Sequence, residues 1–111
     1  MNNKYTSKLH KYIPGGAHTY SRGEDTLPSH IPSVLKKAKG CYMWDLDDNK
    51  FLDYGMGLRS CLLGFCNEIV DNAAIEEIKK GNNLTRPSET EYLAEKKIVD
   101  EIPFIDMLKF Y

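Results

Sequence analysis

Residues 38–54 read AKGCYMWDLDDNKFLDY, and this stretch decides the local fold. Two runs rich in apolar and aromatic residues, 41–46 and 50–54, flank the polar triplet 47–49, whose short Asp and Asn side chains tolerate left-handed turn geometry. Aromatic residues alternate along the first run, so they share one face, as a half-buried strand requires. The stretch therefore predicts an antiparallel hairpin, to which residues 33–39 add a third strand.

The chain before the hairpin divides into a short helix and a long loop. Residues 5–12 can form a helix, which Pro14 and the following Gly-Gly pair end. Residues 13–32 then contain three prolines and three glycines among mainly polar residues. A loop of this length inside a compact domain is usually either functional or disordered.

The chain after the hairpin predicts two helices. The first covers residues 67–80, because Ile, Val and Ala fall on one stripe, with Asn67 as the N-cap and Gly81 as the stop. The second begins at the capping-box sequence 88–91 and ends at Pro103. Residues 106–111 have the pattern of a strand.

This order of elements predicts an α+β arrangement: short helix, antiparallel hairpin or meander, two helices and a terminal strand. After the two helices, the terminal strand has no neighbouring strand with which to pair. An open sheet edge is a liability that complete folds cover, so we expect the fold to be incomplete on its own.

Composition excludes several classes of function. With 15 Lys and Arg against 16 Asp and Glu, the net charge of −1 gives no electrostatic reason to expect nucleic acid or a membrane as partner. Residues 1–5 lack the apolar stretch of a secretory signal, which predicts a cytoplasmic protein.

The three cysteines are odd in number and do not have zinc spacing, so we expect them to be buried, reduced thiols and predict no metal site. Residues 45–49 resemble the start of a calcium loop, but the Gly and Glu that such a loop needs are replaced by Lys50 and Met56.

Residues able to carry chemistry are few. His10, His18 and His30 lie in or near the loop with no catalytic motif around them, and no phosphate-binding glycine motif is present. The three arginines, in contrast, all lie in loops punctuated by Gly or Pro, where a guanidinium can recognise carboxylate or phosphate through two hydrogen bonds. The alternative is that each arginine pairs with a nearby Asp or Glu.

Four groups of residues follow one another along the chain: residues 13–16 with Arg22, the hairpin 38–54 with Leu63-Gly64, residues 81–87, and residues 107–110. Together they resemble the amino-terminal region of class III pyridoxal-phosphate-dependent aminotransferases, the family of glutamate-1-semialdehyde aminomutase. Asp48 takes the place of the usual turn glycine.

The resemblance implies part of a type I pyridoxal-phosphate-dependent transferase fold (α/β) in a homodimer. Residues 1–60 would form the amino-terminal helix, loop and strands of the small-domain region, and residues 61–111 would lead into the large cofactor-binding domain. In the family, pyridoxal phosphate forms a Schiff base with a lysine, and the turn that binds its phosphate would follow Tyr111. No lysine here has the family context, so we expect no catalytic residue, no cofactor-binding residue and no activity in this chain alone.

What the resemblance leaves to this chain is the binding of a small-molecule substrate. Arg22 matches the family arginine that pairs with a substrate carboxylate, and Thr19 matches a small hydroxyl residue nearby. Arg59 and Arg86 are further candidates for substrate binding. Leu58 stands where the aminomutase has tryptophan, and residues 20–25 also differ, which is typical of aminotransferases with other substrates, including surface-sugar pathways. A non-catalytic module that docks on a full-length relative is the alternative.

Overall fold

The computed structural model describes residues 3–81 and 84–110, which form two compact units that divide between Asp71 and Asn72. Its helices are α1 (Asn3–Tyr12), α3 (Glu68–Lys79) and α4 (Glu89–Glu101), and a single turn, α2 (Met56–Arg59), lies between the sheet and α3. Its strands are β1 (Leu35–Lys39), β2 (Tyr42–Asp45) and β3 (Lys50–Leu52), and three short 3₁₀ turns occupy the loop before β1. The division of a complete subunit near residue 60 stays a prediction.

The hairpin prediction is confirmed: β1, β2 and β3 form an antiparallel sheet in that order. Asp45 is buried at the end of β2 and organises the second turn. Its carboxylate accepts hydrogen bonds of 2.9 Å from the backbone N–H groups of Asp47 and Asn49 and from Asn49 Nδ2. The Asn49 side chain, followed by these backbone donors, lowers the pKa of Asp45. The acidic run is therefore a turn whose first carboxylate is occupied by the turn's own donors.

Aromatic rings on β2 lie beneath lysine side chains from the neighbouring strands. Lys50 Nζ lies 3.6 Å from the centroid of the Tyr42 ring, and Lys37 Nζ lies 5.1 Å from that of Trp44. Each lysine can contribute a cation–π interaction and cover apolar area with its aliphatic stem. The sheet of the first unit thus keeps its aromatic side chains partly covered without a second layer.

A close approach between two glycines joins the sheet to the segment after α2. Gly40 and Phe65 exchange backbone hydrogen bonds of 2.8 and 2.9 Å, which brings Gly64 against the Gly40 carbonyl. A Cβ added at Gly64 would lie 3.0 Å from the Gly40 oxygen, and the φ of Gly64 is +84°. Backbone atoms cannot move aside as a flexible side chain can, so this position requires glycine.

Replacing Gly64 by alanine should open this bridge, whereas Gly40→Ala is a matched control. Both glycines have positive φ, but a Cβ at Gly40 would meet nothing within 4 Å. Crowding against the backbone adds to the conformational cost only at Gly64, so we expect the Phe65 amide to exchange about tenfold faster or more in Gly64→Ala than in Gly40→Ala. Hydrogen exchange of the complete polypeptide, followed by NMR, measures this, and equal rates in the two variants would contradict it.

The capping residues predicted for the two helices after the sheet are confirmed. Asn67 Oδ1 accepts from the Ile69 and Val70 N–H groups at 3.2 Å, and Gly81, with φ +97°, follows the end of α3. At the start of α4, Ser88 and Glu91 form the predicted capping box, and the Ser88 backbone N–H lowers the pKa of Glu91. Local side-chain chemistry therefore defines these ends.

Two expectations about the rest of the chain are wrong. Residues 106–110 contain no strand, because a strand needs a hydrogen-bonded neighbour and the described residues offer none there; Tyr111, the last residue of that prediction, lies outside the described residues. The cysteines are not buried: Cys41 and Cys66 are exposed and Cys61 is half-buried.

The apolar surface of the described residues is open. No hydrophobic side chain in residues 3–81 and 84–110 is buried, and the predicted stripe on α3 is exposed, with Ile69 at 83% and Ile78 at 59%. Phe104 and Met107 are exposed at 86% and 88%. Each helix in the described ranges is too short to cross a bilayer. Within the first unit the described order therefore comes from turns and strand pairing, and within the second it comes from helix hydrogen bonds and caps.

Candidate functional site

The loop between α1 and β1 carries Thr19 and Arg22, and it is built from consecutive 3₁₀ turns. Gly15 and Gly16 take φ values of +70° and +72°, which reverse the chain after Pro14. Thr19 is extended and begins the next turn, where its carbonyl accepts from the Arg22 N–H at 3.0 Å. The two predicted substrate-binding residues of this loop thus lie at the two ends of one hydrogen-bonded turn.

Gly23 fixes the chain directly after Arg22. It is buried, its N–H donates to the Tyr20 carbonyl at 3.0 Å, and its own carbonyl accepts from Thr26 Oγ1 at 2.7 Å. A Cβ at this position would lie 2.6 Å from Asp25 Oδ1. The residues on either side of Gly23, Arg22 and Glu24, are therefore held by an ordered backbone.

Helix α1 is connected to this loop by two side-chain hydrogen bonds. Thr6 Oγ1 and Ser33 Oγ are 2.8 Å apart, and His10 Nε2 lies 2.8 Å from Glu24 Oε1. The His10 ring also lies against Gly16, where an added Cβ would come within 2.9 Å of Nε2. Sequence analysis missed His10 and Glu24, because they are 14 residues apart and no local motif links them.

Arg22 lies at a concavity with an open guanidinium. The surface that we call the Arg22 concavity is lined by Leu9, His10, Gly16, Arg22, Glu24 and Ser33. Arg22 is exposed, and within the described ranges its side chain makes no ion pair, so the alternative pairing with Glu24 or Asp25 does not form. Thr19 is also exposed, with Oγ1 at 3.5 Å from Ser21 Oγ. A guanidinium in this state can bind a carboxylate by donating two parallel hydrogen bonds to its oxygens.

Arg59 lies in an unusual turn of the first unit. In α2, Met56, Gly57, Leu58 and Arg59 all have positive φ, at 47°, 55°, 59° and 74°. Three of these are not glycine, and left-handed backbone costs each of them roughly 1–2 kcal/mol. The Arg59 side chain is exposed, and no described hydrogen bond joins it to Thr19 or Arg22.

Arg86 lies in the second unit, in the connection between α3 and α4. Its side chain is exposed, and the described residues offer it no ion-pair partner. A role in substrate binding for Arg59 or Arg86 stays a prediction.

The described residues do not form a site for pyridoxal phosphate. A lysine that forms a Schiff base is activated by desolvation or by a neighbouring cation, whereas every described lysine side chain is exposed. Several are engaged elsewhere, such as Lys36 with Asp48 at 2.9 Å and Lys79 with Glu76 at 2.6 Å. No lysine lines the Arg22 concavity, so the residues there do not supply the amine that this cofactor needs.

The chain is similar in sequence to glutamate-1-semialdehyde 2,1-aminomutases from several organisms. The chain is 31% identical to the glutamate-1-semialdehyde 2,1-aminomutase of Sulfurihydrogenibium sp. (strain YO3AOP1), over 99% of this chain and 26% of that protein. It is 33% identical to the protein of the same name from Methanococcus vannielii, over 90% of this chain and 22% of that one. No family model matches the chain.

Solved structures show the same fold. The FumI protein of Sphingopyxis sp. MTA144, in its pyridoxal-phosphate internal aldimine form, superposes with a TM-score of 0.85 and 25% identity, over 95% of this chain and 25% of that one. A glutamate-1-semialdehyde aminomutase from Pseudomonas aeruginosa PAO1 gives a TM-score of 0.76 at 18% identity, over 88% and 21% of the two chains. The chain thus spans about a quarter of the length of its curated relatives. In sequence and fold, it resembles the amino-terminal part of glutamate-1-semialdehyde 2,1-aminomutase and related pyridoxal-phosphate-dependent aminotransferases.

Proposed function

We propose that the chain is the substrate-recognition part of a pyridoxal-phosphate-dependent aminotransferase or aminomutase, and that Arg22 binds the carboxylate of an amino, oxo or aldehyde substrate. The observation that carries this proposal is the exposed Arg22 guanidinium without an ion-pair partner in the described residues, on a loop tied to α1. Thr19, at the other end of the same turn, would contribute a hydroxyl to the same ligand.

The chemistry of Arg22 suits orientation rather than proton transfer. A guanidinium stays charged at any working pH, and its planar donors match the two oxygens of a carboxylate. Holding one end of a substrate in this way places the other end for reaction, which is a large part of catalysis. The proposed substrates include one from a surface-sugar pathway, since the residues around Arg22 differ from the aminomutase pattern. We further propose a cytoplasmic homodimer that binds neither nucleic acid nor membrane.

A test of the reaction class uses the polypeptide encoded by the complete reading frame that contains these residues. We expect it to bind pyridoxal phosphate and to transfer an amino group in a panel of amino donors and acceptors. Absorbance of the bound cofactor and product analysis are the measurements. The 111-residue chain, treated with cofactor and borohydride, should retain no stoichiometric label at any single lysine, and such a label would contradict the proposal.

A second candidate is a non-catalytic module that docks on a full-length relative. The large exposed apolar side chains favour it, since exposed apolar surface is typical of docking sites. Titration of the 111-residue chain into a purified glutamate-1-semialdehyde aminomutase separates the two. Saturable binding with one-to-one stoichiometry, together with a reading frame that ends at Tyr111, would favour docking over catalysis.

A further inference from the structure

The position of Glu24 poses a problem for a binding role of Arg22. Glu24 is two residues from Arg22, lines the same concavity, and its side chain is 41% exposed. A carboxylate so close in sequence competes with any carboxylate ligand for the guanidinium. In the structure the two do not pair, although both are accessible.

Contacts from α1 account for this separation. His10, in the last turn of α1, binds Glu24 Oε1 through Nε2 at 2.8 Å, and its ring is held against Gly16. Gly23 lies in an ordered turn between Arg22 and Glu24, so the two side chains begin from a fixed backbone. The Glu24 carboxylate is therefore directed to the helix rather than to Arg22.

We infer that His10 is a positioning residue that holds Glu24 on α1 and so keeps Arg22 open for a carboxylate ligand. The part that concerns the ligand rests on the function proposed above. The part that concerns the choice of Glu24 between His10 and Arg22 rests on the described geometry alone. The inference predicts that loss of His10 weakens ligand binding at Arg22, because the released Glu24 pairs with the guanidinium. Removing the Glu24 charge should restore that binding.

The experiment compares His10→Ala, Glu24→Gln and the double variant His10→Ala/Glu24→Gln in the complete polypeptide. His18→Ala is the matched control, since His18 is an exposed histidine in the same loop with no described contact to Glu24. The first readout is the Arg22 Nε–Hε NMR resonance without ligand. We expect it to move in His10→Ala, as the Arg22–Glu24 pair forms, and to return toward the wild-type position in the double variant.

The second readout is the Kd for glutarate, a simple dicarboxylate probe, followed at the same resonance. His10→Ala should weaken binding about two- to fivefold, as expected of competition from an exposed ion pair, and the double variant should restore it. His18→Ala should leave both readouts unchanged.

The two readouts distinguish a failure of the His10 inference from a failure of the proposed function. If the Arg22 resonance in the double variant stays where it is in His10→Ala, His10 only supports the loop and the inference is overturned. If that resonance behaves as expected but glutarate does not bind at Arg22 in the wild type, the His10 contact stands and the proposed function is what fails.

Discussion

Replacing Arg22 by lysine should lower the catalytic efficiency of the complete enzyme toward a carboxylate-bearing substrate by roughly ten- to hundredfold. Lysine keeps the positive charge but loses the planar pair of donors, so the orientation of the substrate suffers more than its attraction. Cofactor loading, measured by absorbance, should stay intact, because the described residues around Arg22 form no cofactor site. Steady-state kinetics of wild type and variant give the comparison.

A substrate analogue in which a neutral amide replaces the carboxylate provides the control. If Arg22 binds the carboxylate, wild type and Arg22→Lys should handle the amide about equally badly. A variant impaired to the same extent on both compounds would show that Arg22 is structural. His18→Ala, in the same loop, should have little effect on either compound.

The 111-residue chain alone should self-associate and lack a cooperative unfolding transition. Within residues 3–81 and 84–110 no hydrophobic side chain is buried, whereas burial of such side chains is the main favourable term in folding. Exposed side chains of this kind, including Phe104 and Met107, promote association between copies. Sedimentation velocity and differential scanning calorimetry measure the two properties, and binding of the dye ANS reports the open apolar surface.

Two surface variants test the cause of this association. Phe104→Ser with Met107→Ser removes two of the most exposed apolar side chains and should reduce association and ANS binding. Thr85→Ala, at an exposed polar position of the same unit, should change neither. A sharp thermal transition of a clean monomer in the unaltered chain would contradict the expectation.

Sequence patterns predicted the elements whose ends depend on neighbouring residues. The Ser88–Glu91 capping box, the Asn67 cap and the turn around Asp45 are all settled by partners within four residues, so a local pattern suffices. The predicted terminal strand is absent from residues 106–110 for the opposite reason. A strand is defined by a neighbour that an apolar pattern does not reveal.

The candidate site was predictable only in part. The resemblance supplied Arg22 and Thr19, but it did not reveal what keeps Arg22 accessible. His10–Glu24 and Thr6–Ser33 join residues 14 and 27 positions apart, so they depend on how α1 lies beside the loop. The positive φ values of Met56 and Leu58 were equally hidden, since neither residue type favours that conformation.

Helix α1 has a consequence for how losses of binding should be interpreted. A protease that cuts between Tyr12 and Pro14 would leave every residue from Thr19 to Thr26 in place. It would nevertheless remove Thr6 and His10, and with them the two side-chain hydrogen bonds that connect the helix to the loop. Weakened binding after such a cut would therefore report lost order in an intact recognition loop, so the amino terminus needs to be checked by mass spectrometry before any defect is assigned to Arg22.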